Sequence, residues 1–245
     1  PSFALPKILW MKENRPWVHE KTVRYIHQTD YIVGKLCGVY YMTDYSNALK
    51  TGYDLLDHRW PEFLDELRLD VSLFPEVVPP GRIIEKIRPE VAWALGVSED
   101  ILITAGATDG YTSALAAGAV KQGDWASIIG TTMVLKGVTE KLFIPPDAGT
   151  YSHKLPSGAW MLGGAANIGG RCLNDAFPKE EFAERNRHVE AVIPTGVIGY
   201  PLHGRGERFP FADENAEGFL LGDISDENVH YAALMEGVAY AERFA

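Results

Sequence analysis

Cysteine is scarce: Cys37 and Cys172 are the only two in 245 residues. No CxxC pair and no Cys/His ligand spacing is present, which speaks against a zinc site. Two thiols allow one disulfide in principle, but reduced thiols in a cytosolic protein are the expectation. Positive charge is short as well. Lys and Arg number 23 against 33 Asp and Glu, giving a net charge of −10, and the signs are mixed along the chain. Nonspecific binding to nucleic acid or to an anionic membrane wants a basic stripe, so both are disfavoured. A nucleotide is not, because backbone N–H groups can hold phosphate locally. No apolar run approaches the roughly 18 residues of a membrane helix, and no signal peptide is visible. There is no GxxxxGK[ST] loop and no GxGxxG turn opening a βαβ unit. The seven histidines are scattered, and none has a ligand partner at helical spacing.

What is present reads as ordinary globular sequence, long enough for one large domain or two modest ones. The chain opens PSFALPKILW and closes MEGVAYAERFA, without an initiator Met or a helix stop. The expectation is therefore a piece of a longer enzyme. Residues 6–38 are predicted as two helices. The first is PKILWMKEN. The second follows Pro16, with Val23, Ile26, Ile32, Val33 and Leu36 at roughly helical spacing and Gly38 as its stop. VYYM (39–42) is predicted as a short strand that breaks at Thr43 and Asp44. WPEFLDELRL is predicted as a helix ending before the prolines of LFPEVVPPG. GRIIEKI suggests an edge strand, RPEVAWALG a helix with Pro near its start, and ILIT (101–104) a buried strand. YTSALAAGAV is a small-residue helix suited to close packing.

Beyond it, WASIIG and TMVLKGV are two strands joined at Gly130-Thr131-Thr132. Residues 149–166 form a second hairpin turning at Pro156-Ser157-Gly158. Its second strand runs into GGAANIGGRCLNDAF, a Gly-rich bend opening a helix, and 197–222 read as irregular. Three small-residue turns, AGATDG, IGTTM and GGAANIGG, each follow a strand within about 65 residues. Each alone is a tight turn. Together they suit a cleft where bare amides and hydroxyls handle phosphate. In the first turn Asp109 stands between small residues, with Gly106, Ala107 and Gly110 leaving room for close approach.

AGATDG with Asp109, the downstream IGTT, GGAANIGG, and GERFPF followed by EGVAYAERF resemble the FGGY carbohydrate kinase family in order and spacing. PKILWMKEN and TDYSNA match that family too, so the resemblance covers almost the whole chain. TDYSNALKTGYD, LFPEVVPPG, TYSHKL, GGAANIGG and GERFPF look most like its D-ribulose and xylulose kinase members. The resemblance implies an α/β, actin-like (ribonuclease H-like) two-domain fold, incomplete at both ends. Residues 1–103 would be the rear of the N-terminal, sugar-binding domain. Residues 104–245 would be the first part of the C-terminal, ATP-binding domain, hinged so that the two close on a cleft. The family's N-terminal DxGTxxxR phosphate loop and C-terminal Gly-rich adenosine motif do not occur in this sequence, so the chain as given is not expected to catalyse alone.

The implied reaction is ATP-dependent phosphorylation of the terminal hydroxyl of a ketopentose, with D-ribulose first and D-xylulose as the alternative. ATP and Mg²⁺ are the implied cofactors, and no metal ligand is assigned in this chain. The implied partners are a small sugar and ATP, with no nucleic acid and no membrane, in the cytoplasm; a homodimer is left open. Asp109 matches the family's catalytic base and would meet the sugar hydroxyl, a role compatible with capping a helix. Gly130, Thr131 and Thr132 resemble the turn that meets ATP phosphates, although Thr also suits a hairpin. Gly169 and Gly170 match the glycines that let nucleotide pass close to backbone. Asn174 falls near a nucleotide-contacting amide of related kinases, or is an exposed helix Asn. Lys50 matches a basic substrate position, or is solvated surface. Asp44 is expected in a turn or cap, Glu207 and Arg208 as a buried pair, and Cys172 in packing. The readings of another class are a non-catalytic sugar-binding or regulatory protein and a structural fragment. Asp109 speaks against the former, since binding needs no base.

Overall fold

The computed structural model describes residues 3–144 and 149–245. It divides into two compact units, residues 1–116 with 153–159, and residues 117–152 with 160–245.

The first unit begins with α1 (Leu5–Asn14), carrying a proline in its first turn where no N–H is needed, and α2 (Pro16–His19). The apolar spacing after Pro16 predicts one helix, but the structure has α2, a break over residues 20–27, and then α3 (Gln28–Cys37). Two things explain the break. Val23 is 82% exposed, so its place in the pattern buries nothing. His27 is extended and opens α3, its N–H donating to Asp30 Oδ2 at 2.8 Å. Next come β1 (Met42–Asp44) and α4 (Tyr45–Ala48), then α5 (Phe63–Glu66), β2 (Glu76–Val78), β3 (Ile83–Lys86), α6 (Pro89–Leu95), β4 (Leu102–Thr104) and α7 (Asp109–Ala116).

The strand β1 lies later than VYYM because its parallel pairing with β2 matches Met42 with Glu76 and Asp44 with Val78. Helix α5 is shorter than WPEFLDELRL, and Arg68 just beyond it has a left-handed backbone. Strand β4 pairs antiparallel with β3, and Ile101 and Leu102 are exposed, so the ILIT strand is not buried as expected. Ile8, Leu64, Leu69 and Phe74 form an apolar centre under Leu5, Leu9, Tyr25, Trp60 and Leu67.

The second unit contains β5 (Trp125–Ile129), β6 (Met133–Thr139), β8 (Trp160–Ala165) and the first two residues of β7 (Tyr151–Lys154), and the sheet has the order β5-β6-β8-β7. The hairpin turning at residues 130–132 is as predicted, with Ile129 opposite Met133. After β8 come α8 (Arg171–Ala176), α9 (Phe182–Val192), β9 (Ile198–Glu207), β10 (Asp213–Leu221) and α10 (Glu227–Phe244). Residues 197–222, expected to be irregular, are thus two long antiparallel strands. Register shifts between Asp213 and Phe219 break the simple alternation that periodicity detects. Met133, Leu135, Ala166, Ile168, Leu202, Phe209 and Ala241 form one core; Cys172, Phe177, Tyr231, Leu234 and Val238 form another.

The expected domain division was at 103/104; the first compact unit runs on through α7. The reason is local. Thr108 N–H donates to the Ser46 hydroxyl at 3.0 Å, and the fully buried Tyr111 ring meets His153 edge-on at 6.0 Å.

Candidate functional site

Asp109 is the first residue of α7 and is exposed. It is not the cap. Thr108 holds that place, its carbonyl accepting from the N–H groups of Tyr111 and Thr112 at 3.0 Å each. The Asp109 carboxylate accepts from Gly110 N–H at 2.7 Å, and a negative charge there is favoured by the helix dipole. Its remaining acceptor capacity faces outward. The neighbouring glycines differ. A side chain at Gly110 would meet nothing within 4 Å, whereas one at Gly106 would lie 2.3 Å from Thr29 Cγ2. Room beside Asp109 therefore comes from Gly110, while Gly106 serves packing against α3.

Near the start of α7 lies a buried polar group centred on Asp44, expected from the sequence in a turn or cap. Asp44 is 1% exposed and caps α4. Its Oδ1 accepts from Ser46 N–H at 2.9 Å, Asn47 N–H at 3.1 Å and the Ser46 hydroxyl; its Oδ2 accepts from Asn47 Nδ2 at 2.6 Å. Burial pushes the Asp44 carboxyl above its ordinary value, and these bonds draw it partly back. Burial also pushes the Tyr111 phenol up to about 12, with Asp44 adding to the effect. The cap was legible in TDYSNA. The link from Ser46 to Thr108, 62 residues away, had no sequence signal.

A pH dependence follows. With a folded pKa above the unfolded 3.8, native Asp44 holds its proton more readily than unfolded Asp44 does. Stability is then lost as pH rises from about 4 through the raised value. Asp44→Asn keeps a capping acceptor and removes the charge. The unfolding midpoint of Asp44→Asn relative to wild type should therefore climb between pH 4 and 7. A difference that stays flat, or falls, would show that burial does not dominate at this carboxyl.

Lys50 is half-buried in a single 3₁₀ turn over Leu49–Thr51, just after α4, and its carbonyl accepts from Ala4 N–H at 2.8 Å. It shares the first unit with Asp109.

The second unit brings together the other predicted residues. Gly130 N–H donates to Thr132 O at 3.0 Å and closes the β5–β6 turn. Gly170 N–H donates to Gly130 O at 2.7 Å, and Arg171 N–H donates to Thr131 O at 3.3 Å. The start of α8 is thus tied directly to that turn. A Cβ at Gly169 would lie 2.6 Å from Thr132 Cα and C, so only glycine permits this approach. Asn174 is exposed, and its Nδ2 donates to Gly170 O at 3.3 Å.

Two expectations about structural residues divide. Cys172 packs against Phe177 and Tyr231, and burial pushes its thiol up to about 11, so it is a packing residue as expected. Glu207 is buried but makes no ion pair with Arg208. It accepts instead from Asn167 N–H at 2.7 Å, Arg208 N–H at 2.8 Å and the Tyr200 hydroxyl at 2.7 Å, while the Arg208 side chain is exposed. Neutral donors, two backbone N–H groups and a hydroxyl, satisfy this carboxylate at no cost of burying a second charge.

The turn at 130–132 suits a phosphate. The amides and hydroxyls of Thr131 and Thr132 make no hydrogen bond among the described residues. A Cβ on Gly130 would point into space, with only Thr132 O as near as 4.0 Å. Unspent N–H groups in such a turn are free to meet an anion such as phosphate. Among the described residues no three His, Cys, Asp or Glu side chains converge as a metal site. Also among the described residues, no helix is long and apolar enough to cross a membrane.

The chain is 29% identical over 253 residues to the xylulose kinase of Bacillus subtilis (strain 168), covering 98% of this chain and 50% of that protein. It is 28% identical over 262 residues to the gluconokinase of the same organism, with the same coverage. The crystal structure of gluconate kinase from Lactobacillus acidophilus superimposes with a TM-score of 0.83 at 28% identity, over 98% of this chain and 50% of that one. The chain spans about half the length of the curated relatives it matches. Residues 1–116, which end where the first compact unit of the main chain ends, match the sequence model of the N-terminal domain of the FGGY family of carbohydrate kinases. Over residues 1–116 the chain thus resembles the N-terminal domain of FGGY carbohydrate kinases, and over nearly its whole length it is similar in sequence and fold to sugar kinases.

Proposed function

We propose that this chain is part of a cytoplasmic ATP-dependent sugar kinase that phosphorylates the terminal hydroxyl of a ketopentose, D-ribulose first. The observation that carries the reading is the β5–β6 turn, with unspent amides at Thr131 and Thr132 and with Gly169 and Gly170 tied against it. In this reading the first unit handles sugar and the second nucleotide. ATP supplies the phosphoryl group when bound. Gly130, Thr131, Thr132, Gly169 and Gly170 hold its phosphates through backbone and hydroxyl donors, with Asn174 alongside. Lys50 meets the sugar. Asp109 accepts the proton of the attacking hydroxyl. The loose transition state of phosphoryl transfer asks for positioning more than for a strong base, which suits an exposed carboxylate on a fixed helix start.

D-Xylulose is the second reading, favoured by the likeness to the Bacillus subtilis enzyme of that name. The test is ADP release by the full-length protein with D-ribulose, D-xylulose, D-gluconate and glycerol. D-Ribulose should exceed glycerol at least tenfold in kcat/KM, which is about 1.4 kcal/mol and within reach of one well-placed hydroxyl contact. A higher value for D-xylulose selects the second reading. Preference for gluconate or glycerol overturns the ketose assignment, and no ADP release with any of them overturns the kinase.

A further inference from the structure

We infer that Ser46, oriented by Asp44, is a positioning residue that sets the start of α7 and through it the place of Asp109. This deepens the kinase reading and rests on it. Three observations carry it. Asp44 Oδ1 already accepts two backbone N–H groups, from Ser46 and Asn47, so the Ser46 hydroxyl meets that oxygen as a donor. With its proton committed there, Ser46 Oγ turns a lone pair outward and accepts from Thr108 N–H at 3.0 Å. Thr108 is the cap of α7, and Asp109 follows it. All three partners are buried, Ser46 wholly so, which keeps water from substituting for any of them.

The direction of this chain matters. A helix start leaves its first N–H groups without partners inside the helix. The Thr108 N–H precedes even these, and in a buried setting it must find an acceptor. Ser46 is that acceptor, and it is held on α4 by the cap of its own helix. The start of α7 is thus pinned to β1 and α4, not left to loop 105–108. Among the described residues the Asp109 carboxylate makes only the local bond to Gly110 N–H, so its position comes from the backbone at the start of α7.

The test uses the full-length protein and a cycle of Ser46→Ala, Asp109→Asn and the double variant. Ser46→Ala should lower kcat about 10–100-fold, the scale on which a misplacement near 1 Å acts, with sugar KM within about threefold. Circular dichroism and the melting temperature establish that the variant is folded. The double variant should be no slower than Asp109→Asn, because Ser46 acts only through that carboxylate. If Asp109→Asn turns over normally, the assignment of the base has failed. If Asp109→Asn is slow but Ser46→Ala keeps its kcat, or its loss multiplies fully in the double variant, the positioning role alone is overturned. Should Ser46→Ala not fold, Ser46→Cys, with a weaker donor and acceptor at the same place, reads the same cycle by the same criteria.

Discussion

With Asp109 as the proposed base, Asp109→Asn in the full-length protein should lower kcat on the order of 10²–10⁴-fold, the usual scale for loss of a general base. At about 1.36 kcal/mol per decade this is roughly 3–5.5 kcal/mol of barrier. Sugar affinity should change much less, because the amide still hydrogen-bonds a hydroxyl. Stability should also move little. Asp109 is exposed and Thr108 caps the helix, so the substitution removes one favourable dipole contact and can keep the acceptor for Gly110 N–H. That contact is worth about 0.3–1 kcal/mol at a surface site. Single-turnover kinetics and thermal melts on one preparation separate the two effects. A variant that melts early yet turns over normally per folded molecule would make Asp109 a structural residue and leave the reaction without its base.

Gly169→Ala should be strongly damaging to the second unit. Its Cβ would stand 2.6 Å from Thr132 Cα and C and 2.8 Å from Thr131 O, all backbone, so no flexible side chain can move aside. Overpacking of this kind costs about 1–3 kcal/mol. The relief available is to push the β5–β6 turn away from α8, which breaks the bond from Gly170 N–H to Gly130 O. The expected result is a lower melting temperature together with at least a tenfold rise in KM for ATP and little change in KM for sugar. Gly130→Ala is the informative contrast. Its Cβ meets no protein atom closer than 4.0 Å, so the protein should melt normally while the methyl occupies the space proposed for phosphate. Weakened ATP binding in Gly169→Ala with unchanged binding in Gly130→Ala would move the phosphates away from the turn.

Local order was largely legible in the sequence. Proline at the first turns of α1 and α6, the Gly-Thr-Thr connection of β5 and β6, and the Gly-rich entry to α8 all act within a few residues. Short-range sterics and missing N–H groups decide such features, so a linear pattern carries them. The resemblance of whole motifs also pointed to sugar kinases and singled out Asp109, Thr131 and Gly170 as candidates.

What failed to show was whatever depends on a distant partner. The helix expected across residues 17–38 breaks because His27 finds Asp30 and a bonding environment made by Thr43 and Thr51. Residues 197–222 become strands because each supplies the other's backbone partners, and their register shifts erase the alternation a pattern would need. Glu207 and Arg208 look like an ion pair in sequence, but Asn167 N–H and the Tyr200 hydroxyl reach the carboxylate first. Only the tertiary structure joined Gly169 to Thr132 and Ser46 to Thr108, because a backbone contact or a buried N–H imposes its demand through space, and the residue that meets it is chosen by the fold.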